Sequence, residues 1–244
     1  MRHKFLLLLL FPAILFPSCA HCIQVTSVTI SGNSYISDEE ILNVVDTKPG
    51  MILSRDVLQA DIEAICDQGF FLSADFDAEP DGDGAAVTFS VTENPLIGSI
   101  SFTGNTIYTS EQLMREFSSQ AGTIFNRYSF RADLERVQDK YHKDGYVMAR
   151  VYDVQIDGGN ISITLLEPRV RNVTIQGSTK IPTDAISHIV TLKEGDPFNI
   201  VDFKDQLKEL KELGYFEDIN VAFDVPDDSD EWINIIITVK DKEP

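Results

Sequence analysis

Ile30-Ser31-Gly32-Asn33-Ser34 returns as Phe102-Thr103-Gly104-Asn105-Thr106 and again as Ile175-Gln176-Gly177-Ser178-Thr179. The glycines of these stretches are 72 and 73 residues apart. A second marker keeps the same step: Pro49-Gly50-Met51-Ile52, Ala121-Gly122-Thr123-Ile124-Phe125 and Glu194-Gly195-Asp196-Pro197-Phe198. A third follows in the same order, as Gly69-Phe70-Phe71, Gly145-Tyr146-Val147 and Gly214-Tyr215-Phe216. A long internal period marks repeated supersecondary units. The chain is therefore read as three modules, at residues 23–95, 96–168 and 169–244, after a leader at residues 1–22.

Each copy opens on alternating apolar and polar residues, Val25 to Ser31, Ile97 to Thr103 and Arg171 to Gln176. Period-two alternation predicts a strand with one buried face, and the Gly-Asn or Gly-Ser after it suits a turn at positive φ. Ser37 with Glu40, and Thr109 with Gln112, have the spacing of a capping box at a helix start. In the third copy Thr183 is expected to cap, without the acidic or amide partner. A second helix carries apolar stripes spaced by three and four: Leu58, Ile62, Ile65; Phe130, Leu134, Val137, Tyr141; Phe203, Leu207, Leu210, Leu213. Gly69, Gly145 and Gly214 stop these helices, each with an aromatic behind it. Cys66 is expected on the apolar side of its helix as a buried free thiol. Two strands then close each copy, at 72–79 with 86–93, 147–156 with 160–166, and 219–225 with 233–239. Asp-rich turns join them, and their pattern lacks the terminal Glu of a calcium loop. The predicted fold is α+β: three tandem β-α-α-β-β modules, each a three-stranded mixed sheet with two helices on one face.

Met1-Arg2-His3-Lys4, the apolar run Phe5–Phe16 and Ser18-Cys19-Ala20 read as a secretory signal peptide. Lipidation of Cys19 is the alternative. The chain holds 20 Lys+Arg against 39 Asp+Glu, a net charge of −19; without Arg2 and Lys4 the balance is 18 against 39, or −21. Such acidity argues against binding nucleic acid or anionic lipid. The histidines His3, His21, His142 and His188 form no metal spacing, and no Ser or Cys sits in a nucleophile motif. No enzyme activity, cofactor or metal is expected.

The order of these elements resembles the POTRA domain of the Omp85 superfamily. The resemblance rests on the Gly-Asn strand end, the helix pair, the Gly-aromatic stop, and Val91-Thr92-Glu93-Asn94-Pro95 echoed by Leu165-Leu166-Glu167-Pro168. It covers residues 23–244. It implies the periplasmic arm of an outer-membrane β-barrel assembly factor, at the periplasmic face of the outer membrane. The implied partners are unfolded outer-membrane β-barrel proteins, assembly lipoproteins and periplasmic chaperones, with the membrane reached only through a C-terminal barrel that this sequence lacks or through another protein. The alternatives are a barrel-less periplasmic scaffold and the arm of a two-partner secretion transporter. The resemblance assigns client binding to the edge strand after the second helix, by β-augmentation. Here that strand is expected over Val147–Ile156, the longest of its kind, with Val147, Met148, Ala149, Arg150, Val151, Tyr152, Asp153 and Val154 as the candidate edge and Met148 and Tyr152 exposed.

Overall fold

The computed structural model describes residues 22–227 and 229–243. The leader expected at 1–22 and the alternative at Cys19 therefore lie, but for Cys22, outside the described residues. The first module runs β1 (Val25–Ser31), α1 (Asp38–Leu42), α2 (Arg55–Asp67), β2 (Phe71–Asp81) and β3 (Gly84–Glu93). The second runs β4 (Ser99–Thr103), α3 (Ser110–Met114), α4 (Arg127–Lys143), β5 (Arg150–Asp157) and β6 (Asn160–Leu166). The third runs β7 (Arg169–Gln176), α5 (Thr183–Ser187), α6 (Ile200–Glu212), β8 (Phe216–Asp224) and β9 (Trp232–Asp241). Each forms its own sheet, in the orders β1-β3-β2, β4-β6-β5 and β7-β9-β8. The last strand is always central, parallel to the first and antiparallel to the second. This is the mixed three-stranded module that the repeat predicts.

Alternation along the central strand sorts the two faces. On β3, Val87, Phe89 and Val91 are buried and meet Ile41 of α1 with Leu58 and Ile65 of α2. The residues between them face solvent, where Thr29–Thr88 and Ser31–Ser90 form hydroxyl pairs at 3.0 Å. Such cross-strand pairs hold the register on the polar face. Each module builds a separate apolar cluster in this way.

Ser37 and Thr109 cap α1 and α3 with reciprocal bonds from Glu40 and Gln112. In the third module Pro182, not Thr183, is the N-cap, and it makes no side-chain cap bond. The third helical position is then Ala185, which has no polar side chain to return a bond. Leu213, expected on the apolar stripe, is 43% exposed because it is the C-cap at a helix end that nothing covers among the described residues. Cys66 is free but only partly buried.

Gly32, Gly104 and Gly177 have φ of +88°, +77° and +100°. A Cβ there would also sit 2.2, 2.1 and 2.3 Å from the carbonyl oxygens of Val91, Leu165 and Val239. The opening strand thus turns against the central strand's backbone, an approach only glycine allows. The loop beyond is held by a carboxylate at the end of that central strand. Glu93 accepts from Tyr35 N and Ile36 N, Glu167 from Thr106 N and Ile107 N, and Asp241 from Thr179 N and Lys180 N. The Glu before each interdomain proline is therefore an intramodular clamp.

The junctions repeat as well. Asn126 Oδ1 caps α4 through Tyr128 N and Ser129 N, while its Nδ2 donates to Gln68 O of the preceding module at 2.8 Å. Asn199 caps α6 through Val201 N and Asp202 N, and its Nδ2 donates to Asp144 O at 2.7 Å. The next N–H completes each joint: Arg127 N to Gly69 O at 3.1 Å and Ile200 N to Gly145 O at 2.9 Å.

Candidate functional site

A three-stranded sheet exposes two edges, and an exposed edge is a template for another strand. In every module the strand after the long helix pairs only with the central strand, so β2, β5 and β8 are edges as expected. Near its start each carries a one-residue register shift, across Phe71/Ser73, Val151/Asp153 and Phe216/Asp218. A bulge re-aims the extra side chain: Leu72 is 68% and Tyr152 63% exposed.

The expected second-module strand needs correction. It begins at Arg150, not Val147, and at 8 residues is the shortest of the three edges, against 11 for β2 and 9 for β8. The chain leaves Gly145 at φ +92° and closes a turn, with Ala149 N donating to Tyr146 O at 3.1 Å. That turn consumes the residues that alternation alone would place in the strand.

The candidate residues divide accordingly. Val147 to Arg150 belong to the second junction. Met148 is not exposed but packs on the third module's core, Ala149 is buried, and Arg150 Nη2 lies 3.0 Å from Asp230 Oδ2. Val147, Met148 and Arg150 line a cleft of about 540 Å³ with Val225, Asp230 and Ile233. Val151, Tyr152, Asp153 and Val154 lie on the open strand, with Val151 and Val154 half-buried against the module's core.

The three edges differ in how their backbone donors are engaged. In an antiparallel pair, alternate residues turn their N–H away from the partner. On β2 that set includes Phe76, Ala78 and Pro80. Phe76 N donates to Asp75 Oδ1 at 2.8 Å, Ala78 N to Asp77 Oδ1 at 2.9 Å, and Pro80 has no N–H. On β8, Ile219 N donates to Asp218 Oδ1 at 3.0 Å. Val221 and Phe223 hold the places of Phe76 and Ala78 on β8, and Val154 and Ile156, opposite Ile163 and Ile161, hold them on β5. There Asp153 Oδ2 accepts from Gln155 Nε2 at 2.9 Å instead. Among the described residues, no side chain takes the Val154 or Ile156 N–H. The repeat could have exposed this contrast, since Asp75, Asp77 and Pro80 are legible once register is known.

Three tandem modules with one strand order, one glycine approach and one acidic clamp invite comparison with known repeats. The family described as surface antigen variable number repeat, POTRA, matches residues 23–94, 95–166 and 168–242. The chain belongs to the POTRA family. Its modules resemble the N-terminal domain of Omp85 from Thermosynechococcus elongatus, with a TM-score of 0.78, 25% identity, and coverage of 91% of this chain and 98% of that one. POTRA1-3 of the periplasmic domain of Omp85 from Anabaena shares the fold at a TM-score of 0.63 and 24% identity, over 91% and 96%. In sequence, the outer membrane protein assembly factor BamA of Nitratidesulfovibrio vulgaris is 25% identical over 183 residues, 72% of this chain and 23% of that protein. The chain thus spans about a quarter of that relative's length. Among the described residues, no helix of these POTRA modules is long and apolar enough to cross a membrane.

Proposed function

We propose that this chain is the periplasmic POTRA arm of an outer-membrane β-barrel assembly factor, and that its second module receives client strands along β5. The likeness to an assembly factor in sequence and to Omp85 periplasmic modules in fold supports the first part. One observation supports the second: β5 keeps Val154 N–H and Ile156 N–H clear of side-chain carboxylates, whereas Asp75 and Asp77 take the matching donors of β2 and Asp218 takes the Ile219 N–H of β8. An unfolded barrel strand brings a complementary backbone row and needs little sequence reading, which suits a carrier of many clients. Tyr152 at the bulge and half-exposed Ile156 offer apolar contacts beside that row.

The test is titration of the isotopically labelled chain with a ten-residue peptide from a β-barrel strand. The expected result is a shift of the Val154 and Ile156 amides, lost in Ile156→Pro. Proline at that position removes an outward donor without cutting the ladder to β6, as Pro80 already does on β2. Unchanged affinity in a folded Ile156→Pro chain overturns the assignment to β5.

A further inference from the structure

The joint between modules is a socket and plug seen twice in this chain. The socket is the end of a long helix: a C-cap carbonyl, Gln68 O or Asp144 O, followed by a left-handed glycine, Gly69 or Gly145. The plug is an asparagine N-cap, Asn126 or Asn199, nine-tenths buried. Each asparagine divides its amide, with the oxygen holding its own helix's first N–H groups and the nitrogen bonding the preceding helix. The socket glycine must lack a Cβ. At Gly69 it would lie 2.9 Å from Asn126 Oδ1, and at Gly145 2.2 Å from Asn199 Oδ1.

The third module carries the same socket, open. Gly214 follows the C-cap Leu213 of α6 at φ +76°, and no atom lies within 4 Å of where its Cβ would be. Gly69 and Gly145 are buried, whereas Gly214 is exposed. Beside it Tyr215 is 55% exposed, while Phe70 and Tyr146 at the filled joints are half-buried. Among the described residues, no donor reaches the Leu213 or Gly214 carbonyl. Where nothing docks, glycine is still needed for φ, but the exposed aromatic beside it is not.

We infer that the C-terminal end of α6 is a docking socket for a further module of this same build, presenting a helix whose N-cap is asparagine. The two filled joints define the occupant: an amide nitrogen for the Leu213 carbonyl and a first-turn N–H for the Gly214 carbonyl. A second copy of this chain fits less well. The position matching Asn126 and Asn199 in its first module is Ser54, whose side chain makes no cap bond and has no amide to donate. The inference rests on the junction geometry and is independent of strand binding.

The experiment joins Asp241 to a second copy of residues 168–241, reproducing the Glu167–Pro168 connection and supplying Asn199 again. Spin-label distances between the third and appended modules are the readout. The expected distribution is narrow, like that between the second and third modules, and Gly214→Ala broadens it while both modules keep their melting transitions. Asn→Ser at the appended N-cap, which retains a capping hydroxyl, should broaden it too. A broad distribution in the unsubstituted fusion, or a narrow one insensitive to both changes, overturns the proposal. Self-association of the original chain that Gly214→Ala abolishes also overturns it, assigning the socket to a second copy.

Discussion

Asn199 and Asp144, 55 residues apart, are joined by a 2.7 Å bond from an N-cap amide to a C-cap carbonyl. One side chain thereby starts α6 and finishes α4. Loss of an N-cap costs about 1 kcal/mol, and here it also removes a tether between modules. Asn199→Ala should lower the stability of the third module by roughly that amount and widen the angle distribution between modules two and three. Solution scattering and spin-label distances check this; an unchanged distribution would show that Met148 and Arg150 hold the joint without it.

The Asp75 and Asp77 contacts predict a gain of function. A carboxylate that satisfies its neighbour's outward N–H competes with an incoming strand. Asp75→Ala with Asp77→Ala should free two donors on β2 and add one bound barrel-strand peptide per chain. Surface changes of this kind typically move stability by less than about 0.5 kcal/mol. Calorimetry reads both; an unchanged number of bound peptides means that edge engagement does not set selectivity.

Asp133 is fully buried and accepts from Ser118 N and Ser119 N at 2.9 Å, from the Ser118 hydroxyl, and from Arg136. Burial pushes its pKa up, but the bonds from Ser119 and Ser118 outweigh it and hold the group below 3.8. A depressed folded value gives stability that is present above 3.8 and lost as pH falls through the lower folded value. Asp133→Asn should cost about 1–3 kcal/mol at neutral pH, the penalty of disrupted buried bonds. It should also flatten the acid limb of the second module's denaturation curve, and a steep limb in the variant would place the titrating group elsewhere.

Tyr141 is buried with its hydroxyl 2.6 Å from Glu167 Oε1. Burial first, then the Glu167 carboxylate, raises its pKa above the ordinary 10.0; burial and Asp144 do the same for Tyr108. A raised folded value gives stability that is intact below 10.0 and lost as pH rises. The 295 nm absorbance of Tyr141 should appear together with loss of the near-ultraviolet circular dichroism of the folded chain. Tyr141→Phe should remove one chromophore from that step, whereas an earlier, reversible titration would contradict the geometry.

Glu167 also accepts from the Thr106 and Ile107 amides. Glu167→Gln should therefore loosen the loop after Gly104 and lower the melting temperature of the second module while the first is unaffected. Hydrogen exchange at Thr106 and Ile107 measures it directly, and protection equal to wild type would remove the clamp from the account.

The strand ends, capping boxes and helix stripes were legible because each depends on neighbours within a few positions. Ser37 and Glu40, or Leu58, Ile62 and Ile65, state their relation through spacing alone. The run from Val147 did not, because alternation cannot reveal that Ala149 closes back onto Tyr146. Asn126 and Asn199 also lie one repeat apart, yet their partners are carbonyls of another module. No periodicity names a backbone acceptor 55 or 58 residues away.

From sequence alone follow the three modules, their β-α-α-β-β order and the glycines that end their strands and helices. These are local consequences of side-chain period and backbone φ. The tertiary structure alone decided which edge donors are taken by neighbouring carboxylates, that Glu93, Glu167 and Asp241 clamp their own modules, and that an asparagine couples each helix to the one before. Hydrogen bonds of that kind depend on atoms within about 3 Å in space, a distance that linear order leaves undetermined until the chain has packed.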